Sequence, residues 1–270
     1  MNRFELALQI YEKLNPNAAI DGEDPQIQAG YLIDQAQSRL QYGAQGLAAY
    51  IQSIQPIPYY TLLLGICQDG LPLLLDLEHY QCGPLLVTGS HTNSMRAFMN
   101  SVLGSGRLIN PPELVDYILI TPNSSAFENE IISASHREIL HPADRSAHEL
   151  VMVLSALVEQ RNTGRQRGPT LILAIEDLDT LIRYMNQDVY AHFLWLLREG
   201  PFARVWPIAT LHAGSRLFTD FKIESLFDTR ILVSDITSGS RLSSGIGGKR
   251  DSDYHQVITG GHTFFNIALP

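Results

Sequence analysis

Residues 85–103, "LLVTGSHTNSMRAFMNSVL", decide how the rest of the chain is read. Leu85, Leu86 and Val87 form an unbroken apolar run, the pattern of a strand buried on both faces. Gly89 ends the run, a polar turn follows, and "SMRAFMNSVL" has the amphipathic pattern of a helix. A buried strand, a glycine turn and a helix open an α/β unit. The rest of the chain is therefore expected to alternate strands and helices around a mostly parallel sheet.

Working downstream, the alternation is sustained. "DYILITP" (116–122), "PTLILAIEDL" (169–178), "VWPIATL" (205–211) and "TRILVSD" (229–235) read as strands, and "SAHELVMVLSALVEQR" (146–161) and "DVYAHFLWLLREG" (188–200) as helices. Strands that are apolar without alternation predict a sheet covered by helices on both faces. Upstream, "YYTLLLGICQDGLPLLLDL" (59–77) places two apolar runs around "QDG", a hairpin signal. The first 55 residues are different. Leu6, Ile10 and Leu14 share one helical face, "NPNAAIDGEDP" stops it, and Asp24-Pro25 starts a second helix with Leu32, Ile33, Ala36 and Leu40 on one face. A third short helix carries Leu47, Tyr50, Ile51 and Ile54 before the prolines of "QPIPYY" end the region. The expected organisation is a helical N-terminal appendage over 1–56 and an α/β domain over 57–270.

Bulk properties exclude several classes. The 270 residues are 45% hydrophobic and 17% charged, enough apolar material for a large core. A formal net charge of −9 argues against a strong, non-specific grip on nucleic acid. No apolar stretch is long enough to span a bilayer, and the acidic residues Glu5 and Glu12 within the N-terminal helix exclude a signal peptide, so no membrane partner is expected and the cytoplasm is the default location. Cys67 and Cys82 beside apolar runs read as small buried residues. Histidines 136, 141 and 148 lack zinc-ligand spacing, and no metal site is expected. Arg161, Arg165 and Arg167 in "RNTGRQRGP" form a basic loop without the aromatic residues that stack bases, and read as solvated. Neither a GxSxG elbow nor an HExxH helix occurs.

The turn after Gly89 can be tested against the chemistry of a phosphate loop, G-x-x-x-x-G-K-[ST]. Such a loop needs glycines that let backbone N–H groups face a phosphate, a lysine for the β- and γ-phosphates, and a hydroxyl for Mg²⁺. The pattern falls on Gly89-Ser90-His91-Thr92-Asn93-Ser94-Met95-Arg96. Only its first glycine is kept. Ser94 replaces the second glycine, Met95 the lysine and Arg96 the hydroxyl. A helix N-terminus still offers some attraction to an anion, so three readings stand open: an inert turn, weak ATP or ADP binding without hydrolysis, and an atypical ATPase.

In order and spacing, the stretch from about Tyr59 to Leu269 resembles the FtsK/SpoIIIE branch of the FtsK–HerA superfamily of RecA-like P-loop motor ATPases. The hairpin lead-in "LLLGICQDGLPLLLDLEHYQCGPLLVTG" resembles that of the family. "LLVTGSHTNSMRAFMNSVL" sits where the family has its Walker A motif, "PTLILAIEDLDTLI" where it has Walker B, and "GGHTFFNIALP" resembles its closing hairpin. The resemblance implies a RecA-like P-loop fold. It also implies that Glu176 and Asp177 stand at the Walker B acids, which in the family support Mg²⁺ and polarise the attacking water, though here in the reverse order. Thr210 and His212 fall at the family's polar sensor, and Arg230 at an arginine near its subunit interface.

Together these readings predict a pseudo-ATPase with a vestigial nucleotide site and no confident catalytic residue. No cofactor is expected beyond weakly held ATP or ADP. Its expected role is scaffold, adaptor or regulatory subunit, with protein partners: a catalytically competent P-loop ATPase or further copies of itself. An ATP-dependent DNA translocase subunit and a nucleotide sensor without turnover remain the alternatives, and contact with nucleic acid stays open.

Overall fold

The computed structural model describes residues 44–67, 71–79, 83–124, 127, 136–219, 223, 225–233, 255–259 and 262–268. The two helices expected before residue 44 and Cys82 lie outside the described residues. The elements run α1 (Ala44–Ser53), β1 (Thr61–Cys67), β2 (Pro72–Asp76), β3 (Leu85–Gly89), α2 (Thr92–Ile109), β4 (Val115–Ile120), β5 (His136–Leu140) and α3 (Arg145–Asn162). They continue with β6 (Thr170–Ile175), α4 (Leu178–Tyr184), α5 (Gln187–Glu199), β7 (Val205–His212), β8 (Thr229–Leu232), β9 (His255–Thr259) and β10 (His262–Ala268).

The ten strands among the described residues join one sheet in the order β2-β1-β10-β9-β8-β3-β7-β6-β4-β5. Six of them, β8-β3-β7-β6-β4-β5, run parallel. The closing hairpin β9–β10 joins this block to the antiparallel pair β1–β2. The strand containing "LLVTG" lies between β7 and β8, and every residue of β3, β4 and β6 is buried, which is why these segments lack polar alternation.

Successive side chains of a strand point to opposite faces, and β3 shows the consequence. Leu85 and Val87 pack with Met95, Phe98, Met99 and Val102 of α2. Leu86 packs into a second cluster with Val151 and Leu154 of α3 and Phe193 and Leu197 of α5. The sheet is thus covered on both faces. Helix α1 buries Leu47, Tyr50 and Ile51 against Leu63 and Ile66 of β1 and Ile109 at the end of α2, so it packs directly onto the α/β core. Pro207 lies inside β7, a position unfavourable to proline in a central strand. It is tolerated where β7 pairs with Leu173 of β6, one residue before pairing with β3 begins at Ile208.

Two elements depart from the sequence reading. β5 is an edge strand, "HREIL", too short and too charged for a strand pattern to register. The seven-residue α4 directly after β6 is too short to show a helical period, and Leu178, its first residue, closes the apolar stretch that reads as a strand. Cys67 is half-buried.

The C-terminal end of α2 is fastened to β1 by side chains rather than by sheet pairing. Asn110 Oδ1 accepts the Tyr60 N–H at 2.6 Å and the Thr61 N–H at 3.3 Å, while its Nδ2 donates to the Thr61 and Gly106 carbonyls, both at 2.8 Å. The Ser105 hydroxyl accepts the Leu63 N–H at 2.9 Å. Gly106 permits this approach, since a Cβ there would lie 2.4 Å from Leu62 Cδ2 and 2.5 Å from the Tyr117 hydroxyl. Burial pushes the Tyr117 phenol well above its ordinary range. Asn110→Ala, which strips two backbone N–H groups of their acceptor, is expected to cost about 1–3 kcal/mol. Gly106→Ala is expected to cost a similar amount, about 1–3 kcal/mol, through overpacking. Urea denaturation reads both, and a shift in midpoint near zero for either would remove this junction as a source of stability.

Candidate functional site

The carboxyl ends of β3, β6 and β7 lie side by side, with Gly89 paired to His212 and Ile175 to Ala209. Parallel sheets carry their ligand sites at this edge. The topology therefore brings the residues from 89–96, 176–177 and 210–212 together, which the sequence alone only orders along the chain.

The link from strand to helix is short. β3 ends at Gly89 and α2 begins at Thr92, so only Ser90 and His91 lie between them. His91 takes the cap position in extended conformation, with no side-chain capping hydrogen bond. The first turn closes with the Met95 N–H on the His91 carbonyl at 3.2 Å. Thr92, Asn93, Ser94, Met95 and Arg96 are consequently helical. Met95 is buried in the core, and a Cβ at Gly89 would lie 3.1 Å from its Cγ and 3.2 Å from the Val233 carbonyl oxygen. A side chain at 89 would therefore require Met95 and the Val233 carbonyl to give way by a few tenths of an ångström.

Arg96, one residue further, turns toward the sheet. Its Nε donates to Glu176 Oε1 at 2.5 Å, and its Nη1 to Asn93 Oδ1 at 3.3 Å. The Glu176 side chain is 1% exposed and that of Arg96 19%. The second carboxylate oxygen, Oε2, accepts a hydrogen bond from the Thr121 hydroxyl at the end of β4, and Thr121 Oγ1 accepts the Asn123 N–H at 3.0 Å. Both oxygens of the buried acid thus already hold a donor. A guanidinium has five N–H donors and no lone pair to offer a metal.

Asp177 is occupied differently. It sits in the left-handed region at φ 68° and caps α4. Oδ1 accepts the Thr180 N–H at 3.1 Å, and Oδ2 the Thr180 hydroxyl at 2.5 Å. Its own N–H donates to the buried Thr210 hydroxyl at 3.0 Å, so Thr210 bridges β7 to the start of α4. His212 is exposed, with Nδ1 accepting the Gly214 N–H at 3.0 Å and Nε2 lying 2.7 Å from the Ser90 carbonyl oxygen. These contacts select the tautomer protonated on Nε2, because a carbonyl can only accept. Beside it, the Ala213 N–H reaches the Gly89 carbonyl at 2.9 Å. Arg230 lies apart on β8, opposite Leu86, and donates from Nε to the Phe227 carbonyl at 3.2 Å.

The other residues weighed from sequence lie elsewhere. Arg161 donates to the carbonyls of Ala203, Arg204 and Pro169 at 3.1, 3.3 and 2.9 Å, anchoring its loop, while Arg165 and Arg167 are exposed. His141 Nδ1 accepts the Ala143 N–H at 3.2 Å. Among the described residues no group of three His, Cys, Asp or Glu side chains is placed to hold a metal ion, and no helix is long and apolar enough to cross a membrane. Sequence reasoning missed Thr121, whose only signal is a polar residue directly after an apolar strand.

No family model matches the sequence, and no curated protein matches it. Solved structures do. The Thermomonospora curvata EccC fragment holding ATPases 2 and 3, in complex with a signal sequence peptide, aligns over 78% of this chain and 41% of its own at 14% identity, with a TM-score of 0.58. EssC ATPases 2 and 3 from Geobacillus thermodenitrificans aligns over 78% and 44%, also at 14% identity and a TM-score of 0.58. The pCW3 conjugation coupling protein TcpA, in a monomer form with ATPγS, aligns over 78% and 66% at 12% identity, with a TM-score of 0.54. The chain therefore spans under half the length of the EccC and EssC structures. At these identities the likeness is one of fold, and the fold is that of a RecA-like P-loop ATPase.

Removing one partner of a buried ion pair leaves the other charge uncompensated. Arg96→Met is therefore expected to destabilise the protein by about 3–5 kcal/mol, and adding Glu176→Gln to recover most of that loss. Asp177→Ala should cost only about 0.5–2 kcal/mol, the value of a helix cap. A urea-melt double-mutant cycle measures these terms, and strict additivity of Arg96→Met and Glu176→Gln would refute the coupling.

Proposed function

We propose that this chain is a catalytically inactive ATPase-like module, a pseudo-ATPase of the FtsK–HerA kind, which serves as a scaffold, adaptor or regulatory subunit in an assembly of proteins. The observation that carries this reading is the early start of α2. A phosphate loop surrounds its ligand with several non-helical residues whose N–H groups face inward. Here five of the eight corresponding positions, from Thr92 to Arg96, already belong to the helix.

The side chains agree with the backbone. The residue in the lysine's place, Met95, is packed into the core, and the residue in the hydroxyl's place, Arg96, is bound to the buried acid. The acid at the second Walker B position caps a helix. These residues do not fit a Mg²⁺–nucleotide complex.

Residues 57–270 are taken as the ATPase-like domain and 1–56 as an appendage to it. In the EccC and EssC structures, which share this fold, one ATPase occurs together with a second. That supports a protein that works beside other ATPase-type units, either active P-loop neighbours or further copies of itself. The parallel sheet and its buried core would then serve as a rigid body that presents surfaces to those partners.

The test is a thermal-melt titration of the whole chain with ATP and ADP, with and without Mg²⁺, alongside hydrolysis assays with and without DNA. A ligand at a hundred times its dissociation constant adds about 2.7 kcal/mol of stability, so binding would be visible in the melt. The expected outcome is an unchanged melt at millimolar nucleotide and no turnover. A Mg²⁺-dependent shift without turnover would replace this reading with that of a nucleotide sensor. DNA-stimulated hydrolysis would replace it with that of a translocase subunit.

A further inference from the structure

Glu176 is a fully buried acid at the edge of a sheet where a hydrolytic P-loop ATPase keeps a divalent cation. A buried carboxylate requires a positive partner, because the interior does not solvate it as water does. In that site the cation is shared between the hydroxyl that closes the phosphate loop and the acid that ends the Walker B strand. The two corresponding residues here, Arg96 and Glu176, meet directly, with nitrogen and oxygen 2.5 Å apart.

From this geometry we infer that Arg96 is the resident cation of the module: its guanidinium fills the place at Glu176 that a divalent metal ion would otherwise take. This inference rests on the pseudo-ATPase reading and says what has replaced the metal. The surroundings support it. Asn93, one turn earlier on α2, holds Nη1 of the guanidinium, and Thr121 takes the carboxylate oxygen that Arg96 leaves. The cluster ties α2 to the ends of β4 and β6 with the chain's own side chains. The consequence is regulatory. In a nucleotide-driven motor this junction responds to what is bound, whereas the Arg96–Glu176 contact closes it here with the chain's own side chains, so neither nucleotide nor metal is needed to hold the surface the module presents to its partners.

The experiment uses the full chain, Mn²⁺ alone as probe, and Mn²⁺ binding by electron paramagnetic resonance together with thermal melts in EDTA and in MnCl₂. Wild type and Glu176→Gln are expected to bind the same amount of Mn²⁺, and the wild-type melt to be the same in both solutions. Arg96→Ser restores the hydroxyl and should melt lower in EDTA, gain one Mn²⁺ site per chain, and recover several degrees in MnCl₂. The double variant Arg96→Ser/Glu176→Gln should lose that site. Arg96→Lys, which keeps the positive charge, should stay close to wild type in its melt and gain no Mn²⁺ site.

A wild-type Mn²⁺ site that disappears in Glu176→Gln would overturn the inference, since metal and arginine would then not exclude one another. So would an Arg96→Ser variant that folds but gains no site. If Arg96→Ser does not fold, the comparison of wild type with Glu176→Gln and the Arg96→Lys variant still decides the matter. In that case an Arg96→Lys chain that gains a site overturns the inference. ATP turnover by wild type would sink the pseudo-ATPase reading by a separate assay, whatever the Mn²⁺ results.

Discussion

The ion pair between Arg96 and Glu176 is the contact on which this end of the molecule depends. It joins the second turn of α2 to the end of β6, with Thr121 bringing in the end of β4. A lone carboxylate buried to 1% exposure would be costly, and a lone guanidinium, 19% exposed, less so. Each makes the other tolerable. Buried pairs of this kind often add little net stability compared with an apolar pair of the same shape, but they are intolerant of losing either member. The pair thus fixes where α2 begins relative to the sheet, and so how little chain separates β3 from the helix.

Around that pair, Asp177, Thr210 and His212, three polar groups that could serve chemistry, have structural duties. The Asp177 carboxylate caps α4, the Thr210 hydroxyl holds the Asp177 N–H, and the His212 ring spans Gly214 and the Ser90 carbonyl. A working active site keeps acceptors and donors ready for its substrate, often at some cost in stability. Here they are turned on one another. At the opposite end of α2, Asn110 and Ser105 satisfy the backbone of β1 in the same manner. Both ends of one helix are therefore tied to the sheet by side chains, while its middle is held by apolar packing through Phe98, Met99 and Val102.

Much of the architecture was legible in the sequence. The apolar, non-alternating runs at β3, β4 and β6 read as buried strands and are, and the two apolar runs expected to form a hairpin pair antiparallel as β1 and β2. The third N-terminal helix is present as α1, with Leu47, Tyr50 and Ile51 buried. β5 and α4 escaped because short elements carry too few residues to display a period. Strand order was not legible either: β3 lies between β7 and β8, partners more than a hundred residues away in the chain.

The candidate site divides along the same line. By itself, the sequence determined which side chains follow Gly89: a phosphate-loop pattern started at that glycine places Met95 at its lysine and Arg96 at its hydroxyl, and folding changes no side chain's identity. It also determined that acids stand at the end of β6. Only the tertiary structure decided what those residues do instead. Arg96 and Glu176 are 80 positions apart, and no local pattern couples them. They meet because parallel pairing aligns the strand ends, and because an almost fully buried carboxylate must find a cation within reach. The start of α2 at Thr92 was decided in the same way. The residues from 90 to 94 would suit a loop as well as a first helical turn, and the packing of Met95 against Gly89 together with the pull of Arg96 toward Glu176 selects the turn.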